Sequence, residues 1–276
     1  MSETRPATSA GPGPFITRRV WHHPGREPSV WLSRAHRKSL RAARADRIEA
    51  IARRTFSGLA DAHGVNWWIA TLFAVGSALF AWASLRALIS VPDPLNGVVF
   101  FAGSVFFTAA AGLQFHQAAR VGPPTPDGGV STEKRDLFGW RPGDIGWLSC
   151  FTQFLGTLLF NLNTYEAMRG GLDPARQDLL VWAPDFVGSA LFLISGQLAF
   201  SETCHAWWRW RPDSLSWRIT AINLAGCVAF MVSAFLSWVP LDGGSGYVTA
   251  SLVFTGIGAL CFLVGALLLY PESADA

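Results

Sequence analysis

Charge is missing from this chain over long distances. Stretches without Asp, Glu, Lys or Arg run 62–85, 94–119, 145–165, 186–201, 219–241 and 243–271. A helix needs about 20 mostly apolar residues to cross a bilayer core of about 30 Å. Five of these stretches meet that length, and the fourth does so if it begins near Leu179 and tolerates Asp185. Six such runs are foreign to a soluble core, so a polytopic membrane protein is expected. Its spans should lie at about 66–89, 94–116, 145–165, 179–203, 217–239 and 247–270.

Other absences narrow the chemistry. Cys150, Cys204, Cys227 and Cys261 form neither a CxxC nor a secreted-type framework, and they read as small apolar fillers in or beside helices. No phosphate loop, HExxH or nucleophile elbow is present, so nothing marks an enzyme. His63, His116 and His205 fall at span ends, but apart from Cys204 beside His205 none has a carboxylate or Cys at zinc spacing. No metal or cofactor is expected. The first apolar run starts only near residue 65, which argues against a cleavable signal peptide. Lys is scarce beside Arg, a bias that fits a GC-rich bacterial genome.

What is present is a phrase. VGSALF at 75–80 returns as VGSALF at 187–192, and looser forms fill every expected span. They read GSALF from Gly76, GSVFF from Gly103, GTLLF from Gly156, GSALF from Gly188, GCVAF from Gly226 and GALCF from Gly258. A small or short polar residue follows seven positions after each glycine: Ala83, Ala110, Asn163, Ser195, Ser233 and Gly265. Seven residues are nearly two turns, so both positions share a face. Membrane helices associate by close packing, and small residues let their backbones approach. The six glycines are therefore candidate helix-packing sites near the bilayer midplane, with each Phe filling a neighbouring gap. Like-oriented glycines recur at 76, 156 and 226 and at 103, 188 and 258. That spacing predicts an all-α bundle built as three helical hairpin repeats.

Twelve of the 22 Lys and Arg precede residue 65. Seven more fall in the 115–144 loop and the loop after helix four, which leaves only Arg86, Arg169 and Arg176 for the other side. By the positive-inside rule both termini should be cytoplasmic, in a bacterial inner membrane. Residues 1–30 are rich in Pro, Gly, Ser and Thr and are expected to be a disordered tail. From 31 to 64 apolar residues step by three to five among basic ones, which predicts a basic amphipathic juxtamembrane helix. Arg34, Arg37, Lys38, Arg41 and Arg44 would then contact anionic lipid. Packing of this segment over the cytoplasmic loops is the alternative. No nucleic-acid-binding motif accompanies the basic residues.

Asp185 is the titratable group that most invites a function, because an ionisable residue inside a span is costly. In the repeat alignment its position is also polar as Gln153, Asn223 and Thr255, against Phe73 and Phe100. Asn161, Asn163 and Glu166 extend the polarity of helix three. One reading is an intramembrane polar pocket formed by Asp185, Asn163, Asn223, Gln153, Asn161 and Glu166. The other is local: Pro184 at a first helical position, with Asp185 beside it favoured by the helix dipole. Glu202 and Glu272 share a repeat position at span ends, where they can pair with basic loops.

The phrases WAPDFVGSALFLISGQLAFSE, NLAGCVAFMVSAF and GALCFLVGALLLYPE resemble uncharacterised bacterial integral membrane proteins, with two-helix units similar to the YrhK-like domain. The resemblance covers roughly 66–272 and implies a fold and a compartment, with no activity attached. The PxDxxR signature of mitochondrial carriers is missing. Three functions stay open on the sequence: a binding, scaffolding or regulatory membrane protein, alone or as a homo-oligomer; a transporter or channel for a small solute or ion using the Asp185 pocket; or an enzyme of redox type, which no motif marks.

Overall fold

The computed structural model describes residues 6–23, 27–40, 64–89, 93–122, 139–238 and 245–273. Three short strands, β1 (Pro6–Ala10), β2 (Arg18–Trp21) and β3 (Ser29–Leu32), form an antiparallel sheet in the order β1-β2-β3. They lead into a six-residue helix, α1 (Ser33–Lys38), which Ser39 closes in the left-handed conformation (φ 56°). Six long helices follow: α2 (Gly64–Ile89), α3 (Pro94–Arg120), α4 (Ile145–Arg169), α5 (Pro174–Cys204), α6 (Leu215–Leu236) and α7 (Ser245–Ser273).

Four of the six long helices start at a side-chain cap. Asp93 caps α3 by accepting from Leu95 N–H, Asp144 caps α4 through Gly146 and Trp147 N–H, and Ser214 caps α6 through Trp217 N–H. Asp173 caps α5, with Pro174 at its first position. The six long helices are long and apolar enough to cross a membrane, and the chain is a multi-pass membrane protein. Their surface supports this: Trp82, Val105, Ile194, Val228, Phe235 and Leu260 face outward, while Ser77, Ser104, Thr157 and Ser189 are fully buried. An apolar outer face, with small hydroxyls among the buried residues, departs from the soluble pattern.

The long helices close a ring. Each packs on the next in chain order, and α7 returns to α2. Within it the six glycines of the repeated phrase lie in three face-to-face pairs. A Cβ on Gly76 would meet the Gly103 carbonyl oxygen at 3.0 Å, and one on Gly103 would meet that of Gly76 at 3.2 Å. Gly156 and Gly188 approach in the same way at 3.1 and 3.2 Å, and a Cβ on Gly258 would meet the Gly226 carbonyl oxygen at 3.1 Å. Positions seven residues before and after the glycines then meet across each pair. Asn96 donates to Ala83 O (3.0 Å), Ser195 to Ser149 O (2.8 Å), Asn163 to Val181 O (3.2 Å) and Ser233 to Ser251 O (2.9 Å).

Two expectations for the N-terminal region are corrected. Residues 6–23 and 27–30, the described part of 1–30, are not a structureless tail: with Trp31 and Leu32 they hold the sheet, with Val20 and Trp21 buried. The 31–64 segment is not one continuous helix: it enters as β3, and α1 ends at Lys38. Residues 41–63, including Arg41, Arg44 and His63, lie outside the described residues.

Candidate functional site

Six phenylalanines, each four residues after its glycine, converge on the ring axis. Phe80, Phe107, Phe160, Phe192, Phe230 and Phe262 are all buried. Each lies over the glycine of the paired helix: Phe192 on Gly156, Phe80 on Gly103, Phe262 on Gly226, and reciprocally. Within pairs the ring centroids are 5.4 Å (80–107), 4.9 Å (160–192) and 5.6 Å (230–262) apart. Across the axis Phe230 reaches Phe80 (6.3 Å) and Phe160 (6.0 Å), and Phe262 reaches Phe107 (6.0 Å). These are the edge-to-face and tilted separations that aromatic quadrupoles favour. A void of about 10 Å³ remains among five of the rings. That is at the lower limit for one water, and its apolar walls offer no hydrogen bond. The layer is dry.

A cavity with polar side chains in a largely apolar wall lies on each side of this layer. The first, of about 60 Å³, is lined by Gln114, Gln153, Thr220 and Asn223 and reaches Arg34 and Arg37 at one end of the ring. The second, of about 160 Å³, is lined by Asp185, Asn163, Thr164, Ser233, Ser251 and Thr255. The expected single pocket is therefore corrected to two. Gln153 and Asn223 face the first cavity; Asp185 and Asn163 face the second. Asn161 instead donates to Thr108 Oγ1 (2.8 Å), and Glu166 accepts from Arg169 (3.3 Å). The cause is chain direction. Residues three before the glycine are Phe73, Gln153 and Asn223 on helices running one way, and Phe100, Asp185 and Thr255 on helices running the other. The aromatic layer falls between the two sets.

Asp185 does not sit at a helix start. α5 begins eleven residues earlier, at Pro174, and passes through a π turn at Asp178–Trp182. There Ala183 N–H reaches back five residues to Asp178 O. Pro184 has no N–H to give to a preceding carbonyl, and the wide turn accommodates it without ending the helix. The local helix-start reading is excluded by this continuity. Asp185 Oδ2 accepts from Ser237 Oγ at 3.4 Å, and no Lys or Arg pairs with it among the described residues.

α1 forms part of the wall of the first cavity. Arg34, Arg37 and Lys38, expected on a lipid surface, are buried against the ring end. Arg34 binds Glu272 through Nε and Nη2, both at 3.2 Å, and Lys38 Nζ donates to the same carboxylate at 2.5 Å. Arg37 Nη2 donates to Glu202 at 2.8 Å and Nη1 to Cys150 Sγ at 3.4 Å. Three buried cations thus share two carboxylates, so each interior charge has an opposite one beside it although the cluster keeps a positive excess. The Glu202 carboxylate holds the Arg37 guanidinium above its ordinary range against the opposing effect of burial, with Asp144 adding to the pull. Burial, with Arg34 and Arg37 adjacent, draws Lys38 down to about 8 despite Glu272. The sheet is anchored beside them: Thr17 Oγ1 and His205 Nδ1 are 2.9 Å apart, and Gly13 lies against Trp207. Burial, with Arg211 and Arg18 nearby, pushes His205 down to about 4.

Arg34 and Arg37 were assigned to lipid on sequence, so their place as cavity wall was missed. The signal for it was Glu202 and Glu272, two carboxylates at matching span ends that pair with α1 rather than with the basic loops. Comparison with protein-family models, curated proteins and solved structures returns no match.

Proposed function

We propose that this chain is a gated membrane passage for a small polar solute or ion, along the axis of the helix ring. One observation carries the reading: two polar cavities on opposite sides of a dry phenylalanine layer. A hydrophobic constriction of this kind closes a pathway by excluding water and opens when its side chains part. The α1 cap forms a second closure over the first cavity. The charge distribution supports a cap in the cytoplasm, both termini inside and a bacterial inner membrane. The glycine pairs and their reciprocal phenylalanines support three copies of one two-helix unit, in keeping with the YrhK-like resemblance.

The test is ion and small-solute release from liposomes holding the full chain. Phe230 touches four of the other rings, so Phe230→Ala should join the cavities and raise release at least tenfold over wild type. Tightness of the layer also fits the alternative, a scaffold that conducts nothing. A folded Phe230→Ala variant as impermeable as wild type would decide for the scaffold.

A further inference from the structure

We infer that the cavity around Asp185 is a binding site for a small monovalent cation, an alkali ion or a primary ammonium. As the substrate class of the passage this rests on the reading above; as a binding site it can be tested alone.

The cavity offers acceptors and one negative charge. Asn163 commits its amide nitrogen to the Val181 carbonyl, which leaves its Oδ1 uncommitted among the described residues. Ser233 Oγ lies 2.9 Å from Ser251 Oγ and 2.7 Å from Thr255 Oγ1, so three hydroxyl oxygens cluster on one wall. Among the described residues no Lys, Arg or His lines this cavity, whereas two arginines line the other. Asp185 brings a carboxylate to this wall with a single 3.4 Å hydrogen bond and no cationic partner among the described residues. A carboxylate in an apolar bundle needs a counter-charge. The cavity, of about 160 Å³, has room for that charge to be a bound cation with some of its water.

The donor set selects valence. Calcium sites gather several carboxylates among six to eight oxygens. Here one carboxylate stands among neutral oxygens, and no group of three His, Cys, Asp or Glu is found among the described residues. A single positive charge balances it. The neighbouring π turn fits a ligand site, since such turns recur where a helix is re-aimed for function.

The experiment is thermal unfolding of the full chain in lipid nanodiscs, titrated with sodium, potassium or methylammonium chloride. N-methyl-D-glucamine chloride at equal ionic strength is the bulky control. At least one small cation should give a saturable rise of about 5 °C at a hundredfold excess over half-saturation, and the control should give none. Asp185→Asn should abolish the rise, Asp185→Glu should retain part of it, and Asp173→Asn, at an exposed helix cap, should leave it intact. If Asp185→Asn fails to fold, Thr255→Val should raise the half-saturating concentration severalfold. Equal stabilisation by the bulky cation, no stabilisation by any cation, or a full rise in folded Asp185→Asn would each overturn the site. Cation binding that survives while liposomes stay tight would retire the passage and keep the site.

Discussion

Glu202→Gln should loosen the cap without altering the ring. The perturbed pair is among the most enclosed in the molecule: Arg37 Nη2 lies 2.8 Å from Glu202 Oε2, with side-chain exposures of 5% and 1%. Glutamine keeps the shape and one acceptor but removes the charge, which leaves a buried guanidinium with Asp144 as its remaining acidic neighbour. Breaking a buried pair by neutralising one partner costs about 3–5 kcal/mol, against about 0–1 kcal/mol for an exposed pair. On a chain of this size that corresponds to a fall in unfolding temperature on the order of 10 °C. A second readout locates the damage. Arg37 Nη1 also donates to Cys150 Sγ, and Cys150 is buried in wild type. In a Cys261→Ala background, maleimide should label Cys150 slowly in wild type and much faster in Glu202→Gln. The double variant Arg37→Met/Glu202→Leu should recover most of the lost stability, because apolar groups of similar volume need no counter-charge. A fall below about 2 °C with Cys150 still protected would refute the cap as an electrostatically held closure.

Acid should undock the sheet. His205 in the folded chain titrates near 4, below its ordinary 6.5, so the folded state favours neutral imidazole. Its contribution is complete above pH 6.5 and is lost as pH falls from 6.5 towards 4, so wild type should lose stability in that window and His205→Gln should show a flatter profile. Gly188→Leu should destabilise the bundle by about 1–3 kcal/mol, since even a Cβ there meets Gly156 O at 3.2 Å and Leu159 Cβ at 3.4 Å. Gly143→Ala, with open space around it, should leave the unfolding temperature unchanged. A methyl at Gly265 would overlap the Asn223 amide oxygen, so Gly265→Ala should turn that amide within the capped cavity and lower stability by a similar amount. An unchanged melting temperature in Gly188→Leu or Gly265→Ala would contradict the packing described.

The spans could be read from charge-free length because bilayer thickness sets that length directly. The expected 66–89 is the helix Gly64–Ile89, and 145–165 is Ile145–Arg169. Where a helix passes through polar sequence the reading fell short. Asp178 and Pro184 looked like a boundary, and only the π turn lets α5 run through them. The sheet was hidden because its strands are four or five residues long and set among Gly and Pro, too short for alternation to stand out. Arg34, Arg37 and Lys38 looked lipid-bound because their partners lie at least 165 positions away in the chain, beyond the reach of any local pattern. Asp185, Gln153 and Asn223 were recognised as unusual, but alignment by repeat discards the direction of each helix. Direction is what sends Asp185 to one cavity and the other two to the opposite one.

Cysteine accessibility across the phenylalanine layer tests the central arrangement most directly. Asn223→Cys and Thr255→Cys, each in a chain whose native cysteines are replaced by Ala, would be exposed to a membrane-impermeant thiol reagent from one face of sealed vesicles at a time. The account predicts that Thr255→Cys reacts only from the face opposite the cap. Asn223→Cys should react only from the capped face, and faster once Glu202→Gln loosens α1. Labelling of both positions from the same face, with the layer intact, would contradict two cavities separated by a closed aromatic ring.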